Sequence, residues 1–432
     1  MSPYRKRATW LILVATWFAG TLVPSTVARA ATAQQDPPVP PRLTLDLAIE
    51  ILLDRNPTIL AERQNVAVAR AGVVSARQLP NPVLAYEAES AGASALPDTS
   101  FWDDQDLNLT IEQRIRIGGS RSRLGRVADE AVLGAQATLQ DTIRRLTLEL
   151  KGRYWGVVLA AQQVELATEV LGQFDQVVRL TEQRYEQGEA SGLEVSRLRT
   201  ERLRFFNDQV IAELGLANAK VALLELLGAR ALSADFEIEE ELAFDRVTVE
   251  LQDLQEEALR RRPDLAAQGA RVEQARRGQD YERSLRVPDL VPYFGYNRDF
   301  GQDNLTFGVS VAVPIFDRNQ GGIARAVAET DREQQALRAG ELVVRREVHQ
   351  AVNSVAAHAR LVEAMQTDYV PNADRARDIA QASFALGALD LIAFLDAERA
   401  YRETLRGYYQ ALHDHQVSRF VLEAAVGRER AR

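Results

Sequence analysis

The chain has 432 residues, with 61 acidic against 52 basic side chains, a formal net charge of −9 and no cysteine. An acidic chain with no basic patch beyond its first residues excludes nucleic acid as a partner. The missing cysteine excludes disulfides, thiolate metal sites and a lipid-modified N-terminal cysteine.

Arg5, Lys6 and Arg7, the apolar run from Ala8 to Val23, and Ala28-Arg29-Ala30 read as a secretory signal peptide over residues 1–30. A retained membrane anchor is disfavoured because Thr16, Gly20 and Thr21 interrupt the apolar run. No later stretch is long and apolar enough to be a membrane helix. A proline-rich linker, 31–42, follows.

From there one unit is written twice, as 43–228 and 249–427, joined by an equatorial linker at 229–248 and ending in a short tail at 428–432. Pro57 to Pro82 and Pro263 to Pro288 are both 25 residues apart, and Gly188 to Gly228 and Gly387 to Gly427 are both 40 apart. Within each unit the order is helix, proline junction, two short strands, a glycine turn (Gly118-Gly119, Gly321-Gly322), a very long helix and a further helix ending at glycine. The long helices are expected over about Ser120 to Gln187 and Ile323 to Leu386. Leu146, Leu150, Tyr154, Val157, Ala161 and Val164 recur at three- and four-residue steps on one stripe. At about 1.5 Å per residue the first would be about 100 Å long. The shorter helices, about Leu43 to Leu79 and Ser191 to Leu227, sum to a similar length, so stacked end to end they would run beside the long one as a coiled-coil wall.

The strands are expected at about 83–89, 105–117, 291–299 and 304–313. Leu107, Leu109, Ile111, Ile115 and Ile117 alternate with polar residues, Gln113 being the one break, and Leu305, Phe307, Val309, Val311 and Val313 alternate likewise. Such strands have the length that crosses a bilayer when tilted, about 9–11 residues. Four strands cannot close a barrel, because the smallest membrane barrels need about eight. An open sheet in lipid leaves backbone groups unpaired, so spanning strands must close with copies of themselves. Three copies would give twelve strands and twelve helical columns.

Arg184-Tyr185-Glu186-Gln187-Gly188 followed by Ser191 and Glu194, and Ser383-Phe384-Ala385-Leu386-Gly387 followed by Asp390, resemble the periplasmic tip motif of the TolC-type outer-membrane factors. The Pro314 to Asp317 run resembles that family's sequence too, and the likeness extends from about Leu43 to Gly427. The resemblance implies a mainly α protein with membrane β: a homotrimer with a twelve-stranded β-barrel in outer-membrane lipid and an α-helical coiled-coil barrel in the periplasm. It further implies a tip that docks a periplasmic adaptor (a membrane fusion protein) and an inner-membrane pump of the RND type. The Leu79-Pro80-Asn81-Pro82 junction leans toward the heavy-metal efflux branch, the CzcC-like members. Many relatives carry a lipidated cysteine, and this chain departs from them.

The tip residues also have a purely local reading. Gly188 can end a helix in the left-handed conformation, and Ser191 with Glu194 forms a capping box that starts the next. Gly387 and Asp390 repeat the design. Caps on a helical hairpin and a docking role for Arg184, Tyr185, Gly188, Ser191, Phe384, Gly387 and Asp390 remain alternatives at this point. By position, Glu194 and Asp396 match acidic sites that line a periplasmic constriction in the family. Ala393 and Leu389 stand where a further acid and a basic latch residue are found, so the latch is in doubt.

His413-x-His415 points in two directions on a helix and makes a poor metal pair, so no resident metal or cofactor is expected. No phosphate loop, serine elbow or zinc-hydrolase motif occurs in a fitting context, and no active site is expected. Phe101, Trp102, Tyr293, Phe294, Tyr296 and Phe300 flank the strand loops as an aromatic girdle or as loop packing. A drug or type I protein export duct of the same family, and a soluble periplasmic coiled-coil scaffold, are the competing readings.

Overall fold

The computed structural model describes residues 40–90, 105–229, 235–246, 251–299 and 302–428. The expected signal peptide, most of the linker after it, the last four residues of the tail, and Phe101, Trp102 and Phe300 lie outside them.

Helix α1 (Leu45–Arg55) starts at Thr44, whose hydroxyl accepts from the Leu47 N–H, and stops at Asn56. A residue before proline is pushed to extended backbone, and Asn56 sits at φ −62°, ψ 122°. Pro57 then opens α2 (Pro57–Arg77), where its missing N–H costs nothing. The helix expected over Leu43 to Leu79 is therefore two. Asn56 makes the break cheap: its Oδ1 accepts from the Thr58 and Ile59 N–H groups at 2.9 and 3.2 Å.

After the first hairpin comes α3 (Ser120–Glu186), 67 residues without interruption, then α4 (Gly192–Leu226). The second unit repeats the order with α5 (Leu251–Arg261), α6 (Pro263–Ser284), a hairpin, α7 (Gln320–Ala364), α8 (Val370–Ala385) and α9 (Leu391–Val426). Its long helix is not continuous as expected. Met365–Tyr369 form one π-turn before α8. Pro371 explains it: proline in a helix lacks an N–H and pushes on the carbonyl four residues back, and a widened turn relieves both.

The columns pack in a fixed order. Beside the sheet α3 lies between α2 and α6, with α7 beyond α6; towards the far end α3 lies between α4 and α9, with α7 and α8 beyond α9. The short helices thus occupy successive levels along the long one. At the joint, Leu43, Leu52, Ile59, Leu150, Tyr154, Leu223, Leu227 and Phe236 form one buried cluster. Each such side chain contributes about 1.5–3 kcal/mol.

The same joint is built twice. Asn56 Nδ2 donates to the Leu226 carbonyl at 2.7 Å, and Arg262 Nη1 to the Ala425 carbonyl at 3.4 Å. Gly228 (φ 73°) and Gly427 (φ 77°) end α4 and α9 in the left-handed conformation, against the α1–α2 and α5–α6 breaks. A Cβ on Gly228 would stand 2.7 Å from the Arg55 carbonyl oxygen, so glycine is required there by both angle and space.

The strands β1 (Val83–Ser90), β2 (Gln105–Glu112), β3 (Leu290–Asp299) and β4 (Gln302–Val311) form one antiparallel sheet in the order β1-β2-β3-β4. Strand β2 stops at Glu112, short of the expected Ile117. Its partner β1 begins only after Pro80 and Pro82, and Gln113 breaks the alternation, while pairing with β3 resumes at Ile115, which bridges Leu290. Strand β4 likewise ends at Val311, two residues before its expected end and ahead of Pro314.

Candidate functional site: an open apolar sheet and a paired helical tip

The register puts the alternating residues of all four strands in common rows. Leu84, Ile111, Phe294 and Phe307 lie side by side, as do Tyr86, Leu109, Tyr296 and Leu305. Pro292 pairs with Val309 and Leu290 with Val311 on the same face. The other face carries rows of Glu87, Asn108, Asn297 and Asn304, and of Ala85, Thr110, Gly295 and Thr306. Tyr293 lies across Gly308 there, its hydroxyl where a Cβ would fall.

This apolar face is not covered. Leu84, Tyr86, Leu109, Ile111, Phe294, Leu305, Val309 and Val313 are exposed, and Phe307 is 83% exposed. A contiguous apolar surface of that kind marks a contact with lipid or protein. Of the girdle candidates, Phe294 and Tyr296 fall on the apolar face and Tyr293 on the polar one. The outer edges of β1 and β4 pair with no strand among the described residues. No helix among them is long and apolar enough to cross a membrane.

At the far end the two hairpins turn alike. Gly188 (φ 81°) and Gly387 (φ 72°) take the left-handed conformation. The Glu189 N–H bonds the Arg184 carbonyl at 2.8 Å and the Ala388 N–H the Ser383 carbonyl at 2.9 Å, which satisfies the last carbonyls of α3 and α8. Ser191 Oγ accepts from the Glu194 N–H at 3.2 Å while the Glu194 carboxylate accepts from the Ser191 N–H at 3.0 Å, a complete capping box. Asp390 caps α9 through the Ala393 N–H at 2.9 Å.

Arg184 joins the two turns. Its guanidinium donates to the Phe384 carbonyl at 3.2 Å and lies beside Gly387. Tyr185 is exposed and lies over Gly192. Phe384 is buried, stacked on Phe394 with ring centroids 4.9 Å apart, so its side chain is core and presents nothing to a partner. The exposed apolar side chains at the tip also include Leu193, Leu386 and Ile392; none was among the expected docking residues, and only Leu386 lies within the motif. Asp396 is exposed and reaches Arg399 at 3.4 Å, whereas one Glu194 oxygen is already engaged by the cap.

Two ties between α4 and α9 escaped the sequence reading. Arg399 bonds Glu201 at 2.9 Å, and Arg402 pairs with Asp208 while its guanidinium stands 5.1 Å from the Phe205 ring centroid. The partners are 198 and 194 residues apart, and each looks locally like a solvated helix face. Glu398, buried nearby, has its carboxyl pushed up by desolvation, with Arg377 and Arg402 opposing the shift. His413 binds Asp414 at 3.0 Å, and His415 is buried apart from it. Among the described residues no group of three or more His, Cys, Asp or Glu is placed to hold a metal.

The profile of the outer membrane efflux protein family matches residues 48–229 and 254–428. The cobalt-zinc-cadmium resistance protein CzcC of Cupriavidus metallidurans is 26% identical over 410 residues, which covers 93% of this chain and 95% of that protein. The pyoverdine export outer membrane protein OpmQ of Pseudomonas putida is 26% identical over 387 residues, 82% of this chain and 80% of that one. Among solved structures, CusC superposes with a TM-score of 0.73 at 18% identity, covering 89% of this chain and 92% of that chain.

Proposed function

The chain belongs to the outer membrane efflux protein family, and from that premise we propose that three copies close into one passive duct, a twelve-stranded barrel in the outer membrane continued by a helical tunnel through the periplasm. The observation that carries this reading is the sheet: four strands with an exposed apolar face and two unpaired edges. In lipid those edges would leave their N–H and C=O groups without partners, at several kcal/mol each. Pairing β1 of one copy with β4 of the next satisfies both edges and, repeated three times, closes a ring.

The helical wall supports the same closure. Its free edges near the tip are α4 and α8, and both carry unpartnered stripes. Leu203, Phe206 and Val210 are exposed on α4; Tyr369, Asn372, Ala376 and Ile379 are exposed along the other edge. The Arg184–Phe384 bond sets the two turns at one level. Counted from there at 1.5 Å per residue, Leu203 and Ala376 stand at the same height to within about 2 Å. A large side chain of one copy then faces a small one of the next.

On this reading the duct does no chemistry, and its cargo arrives through a periplasmic adaptor from an inner-membrane pump of the RND type. The exposed tip around Leu193, Leu386 and Ile392, held by Arg184, Gly188, Ser191, Gly387 and Asp390, is the docking end, with Glu194 and Asp396 at the aperture. The cargo we favour is metal cations, supported by the near full-length match to CzcC. The OpmQ match favours a second reading, a small-molecule export duct.

Two measurements test this. Native mass spectrometry in detergent should give a trimer, and Leu203→Cys with Ala376→Cys should cross-link between copies, cleanly because the parent has no cysteine. A monomer that needs no detergent ends the proposal. For the cargo, a deletion strain should become sensitive to cobalt, zinc or cadmium; sensitivity confined to drugs or siderophores overturns the metal reading.

A further inference from the structure

His415, on α9, is 0% exposed, and neither ring nitrogen has a hydrogen-bond partner. A buried polar group left unpaired is rare and costs about 1–3 kcal/mol. The segment 235–246 between the two repeats packs on it through Phe244. Phe244 lies edge-on against the imidazole, ring centroids 5.0 Å apart. Leu242 and Phe244 close over Val362, Ala411 and Leu412.

The two halves of this strap are fastened to different repeats. Its first half is held to the first repeat: Glu237 exchanges backbone bonds with Pro41 and Leu43 at 2.9 and 3.0 Å, Lys220 donates to the Phe236 carbonyl at 2.7 Å, and the Tyr154 hydroxyl bonds Glu240. Its second half is held to the second repeat, by Phe244 on His415, Asp245 with Arg419 at 3.5 Å and Arg246 with Glu363 at 3.2 Å. The last two each join an exposed strap side chain to a half-buried partner, pairs that water still screens and that contribute little. The apolar seat over a neutral imidazole is the main fastening.

We propose that His415 makes this seat a pH-sensitive clasp: at neutral pH the strap is docked on the second repeat, and on acidification its second half, 243–246, lets go while the part up to Leu242, which also packs on the first repeat's cluster, stays attached.

The groups that face the imidazole are Arg419 on its own helix, His358 on α7, whose Nδ1 is also buried without a partner, and Asp245 on the strap, with the Arg246–Glu363 pair beside them. Docked, the ring resists protonation because burial removes it from water, Arg419 lies beside it and His358 adds to the effect, with Asp245 opposing. Undocked, the ring takes a proton near the ordinary histidine value of about 6.5. The released state binds a proton that the docked state excludes, so falling pH favours release and the clasp is fully effective above about 6.5. The released-to-docked ratio then rises about tenfold at most between pH 7.5 and 5.5.

The test uses the full chain in detergent, spin-labelled at Ala243→Cys, an exposed strap position in a chain with no other cysteine. The mobile-to-immobile ratio of the spectrum should rise up to about tenfold from pH 7.5 to 5.5, with a midpoint at or below 6.5. His415→Leu should remove the response, and His358→Gln, which leaves His415 in place, should keep it. A flat wild-type response, an unchanged response in His415→Leu, or a midpoint near 4, in the ordinary carboxylate range, overturns the proposal. Should His415→Leu fail to fold, a response lost in His358→Gln with the wild-type trimer intact overturns it as well.

Discussion

Phe307→Arg separates membrane from water at a single position. Phe307 lies in the row of Leu84, Ile111 and Phe294, with the rows of Val309 and Val311 on one side and of Leu305 and Asp303 on the other. From Val311 to Asp303 the strand runs about 27 Å at 3.4 Å per residue. Tilted about 40°, that spans about 21 Å of bilayer, most of the apolar band of about 25 Å in outer-membrane barrels. Phe307 then sits about 10 Å inside the outer margin marked by Arg298 and Asp303, near mid-depth. An arginine there costs about 2–4 kcal/mol per copy in lipid. In water the same substitution at a side chain this exposed is nearly neutral, within about 0.5 kcal/mol. Asn304→Arg, on the opposite face, is the control: lumen-facing, it should change conductance and leave stability alone. The readout is the midpoint of heat-induced loss of the folded trimer in detergent and its yield in membranes. Equal behaviour of Phe307→Arg and Asn304→Arg would falsify the assignment of this face to lipid.

Gly228→Ala should destabilise more than Gly427→Ala, because its Cβ meets the Arg55 carbonyl oxygen at 2.7 Å whereas the second site offers 3.3 Å; chemical denaturation followed by circular dichroism reads the difference. Arg262 is 4% exposed between Asp264 and Glu347, whose side chains keep 33% and 38% of their exposure. Arg262→Ala should therefore cost about 3 kcal/mol, the low end for breaking a buried pair, because water still reaches both carboxylates. Burial pushes the Asp264 carboxyl up, but its bonds to Arg262 and the Arg262 charge outweigh this and hold it below the usual carboxylate range. That contribution is present above about pH 4 and is lost as pH falls through the folded-state value, so Asp264→Asn should flatten the acid limb of the stability profile. Replacing Glu194 and Asp396 together by alanine should lower single-channel cation selectivity; unchanged selectivity removes them from the aperture. Glu194→Ala alone should also cost about 1 kcal/mol of α4 stability through the lost capping box.

The strands were legible because their two faces meet different surroundings: Leu305 to Val313 alternates with period two since one side is apolar and exposed and the other carries Thr306 and Asn304. The tip was legible because its chemistry is local, with Ser191 and Glu194 three residues apart and Gly188 and Gly387 at forced angles. What stayed hidden depends on partners distant in sequence. Arg399 and Arg402 look like surface charge until Glu201 and Asp208 are brought opposite. Asn56 shows only as a residue before proline, with nothing to say that its amide will reach the Leu226 carbonyl. Pro371 stands inside the long helix expected over about Ile323 to Leu386 and was passed over there; the chain accommodates it with a π-turn and not with a full break. Phe384 matches a motif, and its side chain serves the core.

The joint between levels shows what duplication preserves. In both repeats a short helix ends beside proline, and the last turn of α4 or α9 arrives with a carbonyl needing a donor. The first repeat supplies an amide, which is neutral and enters the interior alone. The second supplies a guanidinium, whose charge cannot be buried uncompensated, and the structure answers with Asp264 two residues on and Glu347 on α7. The second joint therefore carries two carboxylates beside its donor and ties α6 and α7 by charge, where the first satisfies the α4 carbonyl with a neutral amide over an apolar cluster. The two copies agree on which backbone group must be satisfied and differ on everything used to satisfy it. Their similarity survives in the spacing of proline and glycine, which the backbone dictates, and fades in the side chains between.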